Sequence, residues 1–535
     1  MHEDLLLILG LLFVVMLLVM LAQKLRIAYP IFLVLAGLGI GFIPGIPAVK
    51  TDPELIFLIF LPPLLYEAAW YTSWKEFKKW SGSIILLAFG LVFLTSLIVA
   101  CTAHAFIPGF TLGLGFLLGG IVSPPDAVAA TTVLKGLKVP RRTITILEGE
   151  SLVNDASSLI VFRFALAAIF TGTFSMQEAS GQFFLVAGMG VVVGLAGAHV
   201  MYAIHRFLPT SSAIDATLTV MTPYLLYLSA EQFHFSGVMA VVSGGLFMSF
   251  RAHEIFTTGG TRVNMKAVWH TLIFVMNTLV FILIGLELPG IVSGLGSVSV
   301  FQAIKFGLLI SLVLIALRLV WVYALANFPW WISKRMDNVP RPGWKNPLVI
   351  GWAGMRGVVS LATALSIPLL ISNGASFPQR DLIIFMTFIV IFVTLVFQGL
   401  TLPLIIRLLR IDELDPVLPQ NEQYAGIRLR LDTLALQHLN GNHTSASETN
   451  SLVRAYTARL EHEITGHQSY LASVEACTNR ALEREGFQRI MSDIHDLQRR
   501  ELFKMKKEKT YTDDAIRKAE HLLDINDMKV SETDL

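Results

Sequence analysis

The sequence predicts an all-α membrane protein: about thirteen transmembrane helices followed by a mostly helical cytoplasmic tail. Three observations carry that expectation. The 535 residues are 54% hydrophobic and 15% charged, with a mean hydropathy of +0.64, whereas soluble domains hold about 25% charged residues. Apolar runs of the roughly 20 residues needed to cross hydrocarbon recur through residues 1–410 and then stop. Lys and Arg gather in alternate links between those runs. Residues 1–410 hold 25 Lys/Arg and 17 Asp/Glu, and residues 411–535 hold 16 and 22, so only the last part is composed like a soluble protein. An ordinary globular enzyme, a disordered chain and a fibrous one are excluded. Two domains are expected, a transmembrane domain over 1–410 and a cytoplasmic tail over 411–535.

In chain order the apolar segments run 5–22, 27–46, 54–71, 81–107, 110–134, 144–170, 182–208, 215–234, 236–252, 267–292, 301–328, 346–372 and 381–409. The start, Met1-His2-Glu3-Asp4, is acidic and lacks the basic region and small-residue cleavage site of a signal peptide, so the first run is expected to remain as a span. No Asp, Glu, Lys or Arg occurs from 80 to 125, and the cuts near 109 and 235 fall in short links. Alternate links carry Lys24 and Arg26; Lys75, Lys78 and Lys79; Lys135, Lys138, Arg141 and Arg142; Arg206; Arg251, Arg262 and Lys266; and Lys334, Arg335, Arg341 and Lys345. The opposite links carry only Lys50 and Arg380, with Lys305 just inside a span. Cytoplasmic loops collect Lys and Arg, which puts the N-terminus outside and the C-terminus inside. An odd number of spans gives the same answer.

The tail opens with a Pro- and Asp-containing linker, Asp412 to Pro419, and has a polar stretch near Gly441–Asn450. Leu452, Tyr456, Leu460 and Ile464 recur at helical spacing, as do Ile490, Ile494 and Leu497. The basic run from Lys504 to Lys509 is read as a solvated helix face. Asn442-His-Thr444 fits a glycosylation sequon but falls on the cytosolic side. Cys101 and Cys477 lie one in each part, with neither a disulfide framework nor metal-ligand spacing. No basic patch points to nucleic acid, and no short-period repeat stands out.

Ionisable groups far from any loop are the informative ones, because in a bilayer they are costly and sit in polar cavities, paired or bound to ions. Asp126 lies in segment five, within Gly119-Gly-Ile-Val-Ser-Pro-Pro-Asp-Ala-Val-Ala-Ala130. Pro124 and Pro125 bring no amide hydrogens and clash with a continuing helix. The break leaves carbonyls free, and such breaks are tolerated at membrane depth only where they line protein or water. A carboxylate there, beside free carbonyls and Ser123, suits a small dehydrated cation. The plainer alternative is a structural kink in which Asp126 caps the second half-helix, and the two are compatible.

Segment six carries Glu148-Gly-Glu-Ser-Leu-Val-Asn-Asp155. Ser151 and Asp155 are four apart and share a helix face; Glu150 and Asn154 form the next such pair, an amide able to hydrogen-bond a carboxylate. Hard cations such as Na+ prefer oxygen ligands of this kind, so a Na+ position at Asp126, Ser151 and Asp155 is expected, by the hardness argument made for Ca2+ and Mg2+. The competing reading is a water-lined face with no ion. In segment three Glu67 follows Pro62 and Pro63, and in segment twelve Arg356 lies within Gly351-Trp-Ala-Gly-Met-Arg-Gly357. A guanidinium at membrane depth demands an acid partner; Glu67 is the first choice, with Glu150 and Asp126 as alternatives. Arg163 and Arg318 also lie at membrane depth without an assigned partner. Glu231 and Glu287 fall near span ends, and His104, His199 and His270 are scattered without ligand spacing. No GxxxxGK[ST], HExxH or CxxC motif is present. Transport driven by an ion gradient is therefore favoured over ATP hydrolysis, and no cofactor is called for.

At these residues the sequence resembles the NhaP/NHE-type monovalent cation/proton antiporters of bacteria. The resemblance covers nearly all of 1–410 and rests on LPPLLYEAA in segment three, SPPDAVAA in five, EGESLVNDA in six and GWAGMRGVVSLA in twelve. It implies inverted repeats around two crossed, partly unwound helices, here segments five and twelve, and a homodimer in a bacterial inner membrane. It implies that Asp126 and Asp155 are the cation and proton carboxylates, that Ser151 is a ligand, that Asn154 with Glu150 is a supporting pair, and that a Glu67–Arg356 bridge steadies the unwound region. Where the family often has Thr-Asp-Pro, this chain has Pro125-Asp126-Ala127, so Ser123 or a carbonyl stands in for the threonine. Asn-Asp in segment six resembles the electroneutral branch, one cation for one proton. Transported Na+ (with Li+ or K+ as alternatives) and H+ are then the partners, besides the bilayer and an unidentified ligand or protein at a regulatory tail. A cation channel, an organic-anion carrier and a membrane sensor are the alternatives.

Overall fold

The computed structural model describes residues 2–43, 53–134, 137, 139–172, 176–256, 258–295, 298–332, 343–371, 375–409, 420–443, 450–472, 475–508 and 513–532. Lys50, Lys135, Lys138, Lys334, Arg335, Arg341, the linker Asp412–Pro419, Thr444 of the sequon and Lys509 lie outside those residues. Helix occupies each of the thirteen apolar segments, and among the described residues the only extended pairing is one bridge between Leu370 and Ser376. Among the described residues seven helical stretches are long and apolar enough to cross a membrane: Ser81–Phe106, Leu112–Leu134, Arg141–Thr171, Gly181–Phe207, Gly259–Gly294, Val300–Asn327 and Arg380–Leu409. In hydrocarbon every backbone polar group must find its partner within the protein, and helices do this alone. The outward faces are correspondingly apolar, with Phe13, Phe184, Leu312 and Leu404 all exposed.

Among the described residues two segments are interrupted by four or more non-helical residues, whereas segment ten is divided only at Glu287. Segment five is Leu112–Val122 followed by Ala127–Leu134, and segment twelve is Lys345–Trp352 followed by Val358–Leu365. The first gap falls where Pro124 and Pro125 cannot donate; the second falls in a glycine-rich stretch that costs little to unwind. Two others carry a wide turn, Leu86–Leu91 in segment four and Val393–Gln398 in segment thirteen. Such π turns free a carbonyl, and side chains of neighbouring helices take up two of those in segment four. Ala88 O accepts from Ser157 Oγ at 2.5 Å and Leu86 O from Trp321 Nε1 at 3.3 Å.

Lipid tails are as apolar as leucine, so tight packing rather than hydrophobic exclusion holds these helices together. The first half of segment five illustrates it. A Cβ on Gly115 would lie 2.6 Å from Ala100 Cα, and one on Gly119 the same distance from Ser96 Cα. Segments four and five thus meet backbone to backbone, and a Cβ on Gly120 would lie 2.9 Å from Phe162 N, so the same half-helix also seats on segment six. The chain separates into two compact units, Met1–Glu413 and Leu414–Leu535. Within the second, Gln420–Asn442 packs on Ser451–Ala472 and Glu475–Glu508 on Asp513–Glu532.

Candidate functional site

The two breaks meet. The Asp126 amide donates to Met355 O at 2.7 Å, joining the gap of segment five to that of segment twelve by one backbone hydrogen bond. Asp126 then caps its own half-helix: its Oδ1 accepts from the Val128 amide at 2.8 Å, as an N-cap carboxylate does at the positive end of a helix. The capping expectation is met by this side chain. A Cβ at Gly357 would run into the Asp126 carboxylate, so only glycine lets segment twelve approach this closely. That glycine is a determinant of the site that its motif quoted but no chemistry singled out.

Segment six supplies the opposite wall. Ser151 Oγ accepts from the Ala127 amide at 3.2 Å, and Asn154 Nδ2 donates to Pro125 O at 2.9 Å. Two side chains one turn apart therefore hold both sides of Asp126 through the backbone. Asn154 is fully buried, so its amide fixes one of the carbonyls that the break releases. Asp155 is 6% exposed and lies near enough to Asp126 for the two charges to interact. Among the described residues no hydrogen bond reaches its carboxylate. Ser123, also buried, donates to Gly120 O at 3.2 Å within its own helix.

The buried arginines do not pair as the sequence suggested. Arg318 of segment eleven makes a two-pronged contact with Glu150, Nη1 to Oε1 at 2.5 Å and Nη2 to Oε2 at 2.8 Å, with both side chains 1% exposed. It also donates to Ile350 O at 3.3 Å. Glu150 is thereby taken by a guanidinium rather than by Asn154, which corrects the expected Glu150–Asn154 pair. Arg356 meets no carboxylate among the described residues, so the expected Glu67–Arg356 bridge is corrected too. Its Nε donates to Val122 O at 3.1 Å, its Nη1 donates to Gly354 O, and its amide donates to Thr394 Oγ1 at 3.0 Å. Val122 is the last residue of the first half-helix of segment five. Free carbonyls and the negative end of the helix dipole gather there, and they satisfy a cation without an acid. Arg163 pairs with Glu231 at 2.8 Å near the surface. Glu67 lies half-buried on segment three, where its charge interacts with that of Glu148.

Chemically the crossing presents two carboxylates and a hydroxyl, with the Arg318 guanidinium taken by Glu150 and that of Arg356 by carbonyls at the two breaks. An oxygen-rich cluster of this kind suits a hard cation or a proton.

A family model described as sodium/hydrogen exchanger, transmembrane, matches residues 10–408. The chain is 35% identical over 387 residues to a sodium, potassium, lithium and rubidium/H+ antiporter of Bacillus pumilus, covering 70% of this chain and 57% of that protein. It is 33% identical over 386 residues to the Na+/H+ antiporter ApNhaP of Aphanothece halophytica, covering 71% of this chain and 70% of that one. A further relative in Bacillus subtilis is covered to 58%, so the chain spans under three-fifths of the length of the two Bacillus proteins. Among solved structures, the sodium proton antiporter MjNhaP1 of Methanocaldococcus jannaschii superposes with a TM-score of 0.59 at 21% identity, over 75% of this chain and 97% of that one. That likeness is one of fold.

Proposed function

Because the chain belongs to the sodium/hydrogen exchanger family, we propose that it exchanges Na+, with Li+ and K+ as alternative cargo, for H+ across a bacterial inner membrane, one cation per proton. The observation that carries the reading is a buried Asp155 carboxylate, without a hydrogen-bond donor among the described residues, beside Asp126 at the crossing of two broken helices. An empty, charged carboxylate at membrane depth is costly to move. A site holding either a cation or a proton is not, so reorientation with the site occupied couples the two fluxes. Asp126, Ser151 and Asp155 hold the cation, with Ser123 or a carbonyl completing the shell. Asn154 fixes the carbonyl of Pro125, the Glu150–Arg318 pair anchors segment six, and Arg356 clamps the two breaks. The N-terminus is outside, the 411–535 tail is cytoplasmic and regulatory, and the assembly is a homodimer.

Proteoliposomes with an acidic interior and an interior pH dye test this reading. Outside Na+, but not choline, alkalinises the interior, with the membrane voltage clamped and a protonophore as control, and Asp155→Asn abolishes the response. Conductance uncoupled from any pH change would instead make the protein a channel.

A further inference from the structure

On the exchange reading the site is reached from each side in turn, one of them the side on which Lys and Arg crowd the links, and basic residues at a mouth disfavour cations. Lys75, Lys78, Lys79, Arg141 and Arg142 all lie on links assigned to that side by the charge pattern. Two of them sit over an aromatic ring: Arg142 Cζ lies 4.0 Å and Lys79 Nζ 5.0 Å from the centre of the Trp80 ring. What opposes this rim is written on segment six. Glu148 and Asp155 are seven residues apart, which returns a helix to within about 20° of the same face and raises it about 10 Å. Ser151 lies between them. Exposure falls along this stripe, from an exposed Glu148 through a partly exposed Ser151 to Asp155 at 6%. Glu67 stands opposite on segment three, close enough for its charge to interact with that of Glu148. No ion pair joins Glu148 to the rim among the described residues, and the stripe ends at a buried carboxylate without a donor.

We propose that Glu148 is the residue that draws cations through the basic mouth and passes them along the Ser151–Asp155 face, so that it sets apparent affinity from that side without taking part in the exchange step. The inference rests on the exchange reading above. A fixed negative charge about 10 Å from the site raises the local cation concentration there, and mobile salt screens it because the Debye length near physiological ionic strength is about 8 Å.

The test is the full-length protein in oriented proteoliposomes, with Na+ presented from the side bearing the tail. Glu148→Gln is expected to raise the apparent KM for Na+ by roughly two- to fifteenfold at low ionic strength with Vmax unchanged, the range that Coulomb's law gives over this distance between water-like and protein-like surroundings. Glu148→Asp restores most of the affinity, and added choline chloride closes the gap between wild type and Glu148→Gln. Na+ presented from the opposite side gives the same KM for both. An unchanged KM at low salt, or a fall in Vmax at constant KM, overturns the assignment to Glu148 while leaving exchange intact. Absence of exchange in the wild-type protein overturns the exchange reading and this inference with it.

Discussion

Segment six holds two buried carboxylates five residues apart, and the structure treats them in opposite ways. Glu150, 1% exposed, gives both oxygens to Arg318. Asp155, 6% exposed, receives no hydrogen bond among the described residues and has the Asp126 charge nearby. Burial alone does not separate them; partnership does. A carboxylate locked to a guanidinium at both oxygens is a strut, because releasing it leaves a buried charge alone. A carboxylate kept without a donor keeps its acceptor capacity for something that comes and goes. Arg356 extends the contrast, since it is held by carbonyls at helix ends and so takes no carboxylate away from the crossing.

The largest expected effects test this division directly. Asp155→Asn should eliminate cation-dependent proton flux, while the melting temperature in detergent holds or rises because a buried charge is gone. Retained exchange in both Asp155→Asn and Asp126→Asn would break the contrast. Glu150→Gln should do the reverse, costing about 3–5 kcal/mol of stability by stranding Arg318, seen as a lowered melting temperature; a joint Glu150→Gln, Arg318→Met change should recover much of that loss. Next in size, Arg356→Ala should lose activity mainly through folding, and Arg356→Lys should recover only part of it, because a point charge cannot serve Val122 O and Gly354 O from one planar fork. Ser151→Ala should be milder, about 1 kcal/mol of lost hydrogen bonding to the Ala127 amide, measured as a few-fold rise in apparent KM for Na+. The smallest effect lies in the tail. Arg499, and after it His495, hydrogen-bond Asp527 and hold its carboxyl below the usual aspartate range. That contribution is complete above the ordinary aspartate pKa and disappears as pH falls through the lowered one. Asp527→Asn should therefore speed hydrogen exchange across Asp513–Glu532 in the full chain at neutral pH and leave it unchanged in strong acid.

Much of this site was legible because proline and glycine act locally. Pro124 and Pro125 announced the break in segment five, the glycines around Arg356 announced that in segment twelve, and the Ser151–Asp155 spacing put both groups on one face. The arginine pairings were not legible. Glu150 and Arg318 are 168 residues apart, and nothing in either neighbourhood specifies the other. Arg356 was misassigned for a different reason: a charge in a membrane was expected to need an opposite charge, whereas the end of a half-helix offers carbonyls and a dipole that do the same work. The clue was the coincidence of an arginine in one broken helix with a second break that must end in open carbonyls. Gly357 shows a similar limit, since a residue without a side chain discloses its role only when its neighbour, Asp126, is seen in space.

The backbone bond from the Asp126 amide to Met355 O has a consequence for how this protein would respond to wholesale variation. Replacing every residue in turn would map positions by what their side chains contribute, and this link belongs to no side chain. At position 126 only proline removes the amide, and it removes the carboxylate with it, so the two losses cannot be told apart. A tolerance map would therefore credit the whole penalty to Asp126 and record Met355 as an ordinary buried apolar position. Exchanging the single amide at 126 for an ester, with aspartate retained, is the change that would make the joint between the two halves of the transmembrane unit visible.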